Sequence, residues 1–205
     1  SHELRTPLTA ISGWLQILEL HRDGERLERG LDAIQRNTTL LTRLIGDLVD
    51  VSRIVTGSLT LQVQPTDMAR VIEAALDSVR QEVQIKQLEV VIATAPDLEP
   101  IAADPDRLQQ VVRNLLSNAV KFTGPRGRVS ITAQRTGAMM ELSVADSGPG
   151  VPAAIKSRIF EPFFTTKPVG MGTGVGLSVC HSVVTSHGGT IEVADVPGGG
   201  TVFVI

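Results

Sequence analysis

Apolar residues recur at a heptad-like spacing from the start of the chain to about residue 56, and there the spacing changes. Leu4, Leu8, Ile11, Leu15 and Leu18 mark one stripe; Leu27, Leu31, Ile34, Leu41, Ile45, Leu48 and Val55 mark a second. Each stripe predicts an amphipathic helix. The stretch "HRDGER" between them has the glycine and charges of a short connection, so the helices should run antiparallel. Two helices cannot bury both stripes, and a seam repeating near 3.5 residues asks for more helices of its kind. A four-helix bundle built by two chains is the simplest answer; packing of the hairpin on the rest of its own chain is the alternative.

"TGSLT" breaks the second helix, and strand-like and helix-like units alternate from there. Strands are expected near 59–63, 88–93, 128–135, 139–145, 190–194 and 201–205, and helices near 67–86, 104–122 and 174–186. Asp104 caps the middle helix, Pro105 takes its first position, and Gly124 and Pro125 end it. The strands at 128–145, joined by a tight turn at Gly137, suggest a mixed or antiparallel sheet covered on one face. The fold class is therefore α+β, with a helical hairpin over 1–57 and a second domain over 58–205. Residues 147–172 form a long irregular stretch, a length usually reserved for lids or linkers.

Composition removes several classes of function. A formal charge of -3 gives no polyanion-binding signal, which argues against a nucleic-acid partner. A single cysteine, Cys180, excludes an internal disulfide and a Cys-based zinc site and agrees with a reducing compartment. No apolar run approaches the roughly 20 residues of a membrane span, and there is no signal peptide. The abrupt helical start and the strand-like end "TVFVI" predict a cytoplasmic fragment of something longer, without direct membrane contact.

Four stretches carry chemistry. In "RNLLSNAVKF", Asn114, Asn118 and Lys121 share one helix face; amide oxygens suit a hard cation and an ammonium suits phosphate, although a solvated polar stripe would look the same. "LSVADSGPGVP" ends a strand in Asp146 and continues through Gly148 and Gly150. A carboxylate at a strand end can accept an exocyclic amine proton, and glycines let backbone approach a flat ligand; a simple turn is the alternative. The dinucleotide-binding fingerprint fails here, because no adequate helix follows and no acidic residue ends a second strand. In "GMGTGVGLS", Gly170, Gly172, Gly174 and Gly176 alternate into the helix "VGLSVCHSVV", whose start offers an anion site of unpaired N–H groups or, alternatively, a flexible hinge. Neither a Walker motif nor the protein-kinase motif set is present. Between the glycine clusters, "RIFEPFFTTK" concentrates Phe160, Phe163 and Phe164 in the irregular stretch, as an aromatic anchor or a small satellite core.

The opening stretch "SHELRTPLTAIS" has two readings. Thr6 could cap a helix with Pro7 at its first position. If the helix instead runs through Pro7, His2 and Thr6 lie one turn apart on one face with Glu3 beside the histidine. Trp14, Cys180, His21, His181 and His187 carry no mark beyond a structural or surface role.

In this order the stretches resemble the bacterial sensor histidine kinases of two-component systems: "SHELRTPLTAI" their H box, "RNLLSNAVKF" the N box, "DSGPG" and "GTGVGLS" the two glycine boxes, and "IFEPFFTTK" the F box. The resemblance spans nearly the whole chain. It implies a dimerisation and phosphoacceptor hairpin followed by an ATP-binding domain of the Bergerat type, an α/β sandwich with three helices on one face of a mixed sheet. It implies a helix that continues through Pro7, with His2 as phosphoacceptor and Glu3 taking the proton released. ATP and Mg2+ are the implied cofactors: Asp146 reads adenine, Asn118 holds magnesium, Asn114 and Lys121 assist, Gly148 and Gly150 shape the base site, and Gly172, Thr173, Gly174, Gly176 and Leu177 belong to the lid. ATPase relatives carry a glutamate where this chain has Asn114, which favours transfer to histidine over hydrolysis. The spacing of Glu3 and Thr6 is similar to the family's phosphatase pattern. A homodimer and a response regulator receiver domain are the implied partners; a Bergerat-fold ATPase or a degenerate interaction module is the alternative.

Overall fold

A computed structural model of the chain describes residues 2–20, 24–56, 59–95, 98–137, 139–166 and 173–205, without the side chains of residues 2, 3, 43, 47, 54 and 55. Helices α1 (His2–Leu20) and α2 (Gly24–Val55) pack on one another as a hairpin. Helix α1 runs through Pro7, which is buried. Gly30 of α2 faces α1 so closely that a Cβ there would lie 2.9 Å from a Leu18 methyl group. Gly24, expected in the connecting loop, is the first residue of α2, and residues 21–23 lie outside the described residues. Within one chain the heptad stripe remains in water: Leu8 is 52%, Leu31 55% and Leu48 53% exposed.

The second unit runs β1 (Gln64–Thr66), α3 (Met68–Asp77), α4 (Arg80–Lys86), β2 (Glu89–Thr94), β3 (Ile101–Ala103), α5 (Pro105–Phe122), β4 (Arg128–Thr136), β5 (Met139–Asp146), α6 (Ala153–Lys156), α7 (Gly176–Ser186), β6 (Glu192–Asp195) and β7 (Thr201–Val204). Five strands form one mixed sheet in the order β2-β4-β5-β7-β6, with β2 parallel to β4 and every other pair antiparallel. Helix α5 packs on β5 and touches α3 and α7. Its apolar positions Val111, Val112, Leu115 and Leu116 are fully buried, as are Val129, Ile131 and Ala133 on alternate positions of β4. Burying each of these Val, Leu and Ile side chains contributes about 1.5–3 kcal/mol, and the core is aliphatic as the composition requires.

Three expectations are corrected. No strand forms over 59–63; the Gln62 N–H donates to the Asp104 carboxylate (2.8 Å) instead of to a ladder, and the strand begins two residues later. It pairs with β3, a three-residue strand too short to show a period, in a separate two-stranded sheet. The helix expected over 67–86 is two helices, because the Ser78 hydroxyl donates to the Ala75 carbonyl (2.6 Å) and tightens the chain there. The irregular stretch 147–172 contains one short helix, α6; residues 167–172 lie outside the described residues.

Capping fixes both ends of α5. At its start Asp104 accepts from the Arg107 N–H (3.1 Å), and the Asp104 N–H donates to His187 Nε2 (3.0 Å) at the end of α7. With Nε2 accepting there, the hydrogen at Nδ1 of His187 donates to the Val183 carbonyl (2.9 Å), a structural role that ties α7 to the cap of α5. Burial acts to raise the Asp104 carboxyl, but the N–H groups of Gln62, Arg107 and Asp106 and the charge of Arg107 outweigh it and hold the group below the usual carboxylate range. At the other end Lys86 Nζ donates to the carbonyls of Val120 (2.8 Å), Lys121 (2.9 Å) and Thr123 (2.9 Å). An ammonium on the orphan carbonyls of a helix end satisfies acceptors and opposes the helix dipole. Lys86→Met keeps the aliphatic stem and removes the cap, so it is expected to lower unfolding free energy by about 2 kcal/mol in a denaturant titration.

The last turns of α2 join this unit. Val51 enters its core, α2 touches α7, and the buried Asp50 is held by α5. Arg107 Nη1 donates to Asp50 Oδ1 (2.9 Å) and Gln110 Nε2 donates to Asp50 Oδ2.

Candidate functional site

A cavity of about 190 Å³ opens between α5, the end of β5 and the start of α7. Helix α5 supplies Asn114 and Asn118, which stand one turn apart because they are four residues apart on the face opposite the apolar stripe. The chain leaving β5 supplies Asp146 and Gly150, and the segment entering α7 supplies Thr173, Gly174, Gly176 and Leu177. Residues separated by dozens of positions in the sequence thus line a common space.

Asp146 sits deep, with 8% of its surface exposed. The Gly148 N–H donates to its Oδ1 (2.7 Å), and the Thr201 N–H donates to the same carboxylate. Burial pushes the carboxyl above its ordinary value, and these two donors pull against that shift. A buried anion with acceptor capacity left over faces a slot walled by Val151, Ile155, Ile159 and Phe203. That combination suits a flat apolar ring carrying an N–H donor.

Glycines set the shape. A Cβ on Gly200, where φ is +113°, would lie 1.8 Å from the Asp146 carbonyl oxygen. A Cβ on Gly174, at φ +67°, would lie 2.6 Å from the Phe163 backbone and 2.7 Å from the Phe164 carbonyl oxygen. Gly148 does not line the cavity; it lacks room for a side chain beside Phe122 and serves by donating to Asp146. The aromatic cluster anchors the wall: Phe164 lines the cavity with Arg158 4.6 Å above its ring, and Phe160 packs edge-on against Phe203.

Asn114 faces the start of α7, where its Nδ2 donates to the Gly176 carbonyl (3.2 Å). Behind it lies Cys180, fully buried. Burial pushes its thiol up to about 12, against a smaller opposing effect of its hydrogen bond with Asn114. Lys121, in the last turn of α5, is not among the cavity-lining residues. Gly172 lies outside the described residues, as do the side chains of His2 and Glu3, which occupy the first turn of α1. Thr6 is exposed one turn further on. Among the described residues no three His, Cys, Asp or Glu side chains gather into a metal site; the oxygens in the cavity lining that suit a hard cation include the amide oxygens of Asn114 and Asn118.

Sequence reasoning missed Thr201 and the apolar wall of Val151, Ile155, Ile159 and Phe203. The "GGGT" run before β7 was the available signal for Thr201, since three consecutive glycines mark a close backbone approach.

The family model described as histidine kinase-, DNA gyrase B- and HSP90-like ATPase matches residues 103–205, and that of the His Kinase A (phospho-acceptor) domain matches residues 1–57. Sensor histidine kinase ZraS of Escherichia coli (strain K12) is 36% identical over 211 residues, covering 100% of this chain and 43% of that protein. The crystal structure of full-length ShkA in complex with AMPPNP superposes with a TM-score of 0.79 at 31% identity over 99% of this chain and 43% of that one. ThkA, solved in complex with the response regulator protein TrrA, gives a TM-score of 0.68 at 28% identity over 100% of this chain and 58% of that one. The chain spans less than half the length of the first curated relatives it matches.

Proposed function

The chain belongs to the sensor histidine kinases, and from that premise we propose that it binds ATP in the cavity beside α5, transfers the γ-phosphoryl group to His2, and passes it on to an aspartate of a response regulator. The observation that carries this reading is the gathering of Asn114, Asn118, Asp146 and Gly174 around one cavity in a chain whose first helix begins with a histidine. Asp146 accepts the exocyclic amine of adenine while the apolar wall holds the ring. Asn118 and Asn114 face the phosphates, Lys121 would approach them from outside the cavity lining, and a magnesium ion held by the Asn118 oxygen would neutralise their charge there. Thr173, Gly174, Gly176 and Leu177 line the phosphate end.

The transfer balances simply. A lone pair on a neutral His2 ring nitrogen forms the N–P bond as the bond from the γ-phosphorus to the bridging oxygen breaks, ADP departs with that electron pair, and Glu3 takes the ring proton. Pro7 loosens the turn that carries His2, because it has no N–H to donate to the Glu3 carbonyl. Glu3 and Thr6 could further orient water against a regulator's phospho-aspartate as a phosphatase. The exposed leucines of the hairpin support a homodimer in which two hairpins form a four-helix bundle. We place the phosphoacceptor unit at 1–57 and the nucleotide-binding unit at 58–205, working in the cytoplasm; among the described residues no helix is long and apolar enough to cross a membrane.

Incubation with γ-labelled ATP tests the reading. Label stable to alkali and labile to acid is expected on the protein, and His2→Ala is expected to abolish it while ATP affinity stays within about twofold. Label that persists in His2→Ala shows that another residue is the acceptor. Free phosphate released without any protein label makes the chain an ATPase instead.

A further inference from the structure

The half-buried Lys86, last residue of α4, closes the final turn of α5, and that turn belongs to the base end of the cavity. Its Nζ donates to the carbonyls of Val120, Lys121 and Thr123, so all three N–H groups of the ammonium are engaged with backbone and none is left for a ligand. The carbonyl it passes over, that of Phe122, faces Gly148 instead: a Cβ on Gly148 would lie 3.0 Å from the Phe122 oxygen and 2.7 Å from Asp146 Oδ1. We propose that Lys86 is a positioning residue for the carboxylate that reads the base: by fixing the end of α5 it sets the backbone on which Gly148 rests, and with it the N–H that aims Asp146. The proposal rests on the nucleotide-binding reading above.

Three observations carry it. The contact between the end of α5 and Gly148 has no slack, and the Gly148 N–H donates to Asp146 Oδ1 at 2.7 Å, so a shift of the Phe122 carbonyl is passed directly to that hydrogen bond. Second, the turn that Lys86 holds carries Phe122 into the cavity lining, one turn beyond Asn118. Third, Lys86 is itself fixed to the chain that leaves α5. Its carbonyl accepts from the Arg126 N–H (2.9 Å), and the Glu89 N–H donates to the Gly127 carbonyl (2.9 Å). From there the chain returns to the base site, because the Arg128 N–H donates to Ser147 Oγ (2.9 Å) and the Ser147 N–H donates to the Arg128 carbonyl (3.0 Å). The end of α5, the loop after it and the turn from Asp146 to Gly148 are thus one connected backbone, and the Lys86 ammonium holds its helical end.

A helix cap that served stability alone would leave ligand binding indifferent to its loss. Here three carbonyls must turn to water when the ammonium is removed, and the last turn of α5 loosens. Phe122 and Gly148 then lose their common register, and one oxygen of Asp146 loses the donor that orients it. A ligand-reading group performs only as well as the residues behind it hold it. Since Lys86 touches neither the base nor the phosphates, its removal weakens the adenine end of the ligand and falls on binding more than on the transfer step.

The test compares the full chain with Lys86→Met, with Lys86→Arg and with Val71→Ala. Val71 is buried on α3 and is not among the cavity-lining residues, so its truncation lowers stability without touching the site. Lys86→Met is expected to weaken the binding of ATP and of adenosine alike by about tenfold, with the KM for ATP rising by that factor and kcat changing less. Val71→Ala is expected to bind both ligands as the parent does. Lys86→Arg, which keeps a cation with several donors, is expected to return affinity to within about threefold of the parent. Exchange of the Gly148 amide hydrogen, which needs no ligand, is expected to quicken by at least about tenfold in Lys86→Met and to stay near the parental rate in Val71→Ala. An equal loss of affinity in Val71→Ala makes Lys86 a stabilising cap and no more, and a loss that spares adenosine but grows with the number of phosphates puts its effect at the other end of the cavity. Either result overturns the proposal, as does unchanged exchange at Gly148. A parent that binds neither ligand overturns the nucleotide reading itself, and the exchange at Gly148 still decides whether Lys86 sets that N–H.

Discussion

Asp146→Asn is expected to weaken ATP binding by about a hundredfold while leaving unfolding free energy within about 1 kcal/mol of the parent. The asymmetry follows from the donors around the carboxylate. Gly148 and Thr201 already use acceptor capacity on Asp146, and an adenine amine needs more. Asparagine has a single acceptor oxygen; once that oxygen serves the backbone, its NH2 group meets the ligand's donor head-on. A lost charge-assisted hydrogen bond and a buried mismatch together cost about 3 kcal/mol in binding, which is the hundredfold. The folded protein without ligand, in contrast, is relieved of a buried charge. Isothermal calorimetry and thermal melting separate the two effects, and a large fall in melting temperature would mean that Asp146 is chiefly structural.

The same carboxylate gives the pH dependence a definite sign. Because burial raises the Asp146 pKa in the folded chain, acidification protonates it before an ordinary aspartate, and affinity for ATP is expected to fall from a pH above the usual carboxylate range. Its contribution to folding runs the other way: that contribution is present below the unfolded pKa and is lost as pH rises through the raised folded value. Asp104, held low by its N–H donors despite its burial, contributes stability above its unfolded pKa and loses it only as pH falls through the depressed folded value. Binding should therefore disappear on acidification before the cap of α5 gives way.

Gly200→Ala is expected to cost about 3–5 kcal/mol in unfolding free energy and to abolish measurable ATP binding. A methyl group at this position would overlap the Asp146 carbonyl oxygen at 1.8 Å, so β7 must separate from the end of β5 or Asp146 must leave its place. The φ of +113° adds strain that only glycine avoids. Denaturant unfolding measures the first effect, and near-parental stability with intact binding would show that this approach of the two chains relaxes readily.

The sequence made the site legible wherever its chemistry is local. Asn114 and Asn118 share a face because a helix repeats every 3.6 residues, and Asp146 with Gly148 forms a turn that can be read along the chain. The hairpin was equally legible, since a heptad stripe needs no tertiary information. What escaped depends on pairings between distant residues. Asp50 meets Arg107 across 57 positions and Asp104 meets His187 across 83, and neither has a local signature. The strand expected over 59–63 was lost because Asp104, 42 positions beyond Gln62, claims its N–H. The split of α3 from α4 could have been suspected from Ser78, a residue that competes for backbone carbonyls, but an apolar period that continues across it hides the break.

Cys180 offers a practical opening. Its thiol is sealed in the core, and burial pushes it up to about 12, which favours the unreactive protonated form. Maleimide probes or spin labels will pass it by, so a cysteine introduced at any chosen surface position becomes the one reactive handle without removal of the native residue. Pairs of such handles on the hairpin and on the sheet would report the separation of the two units as a distance during turnover.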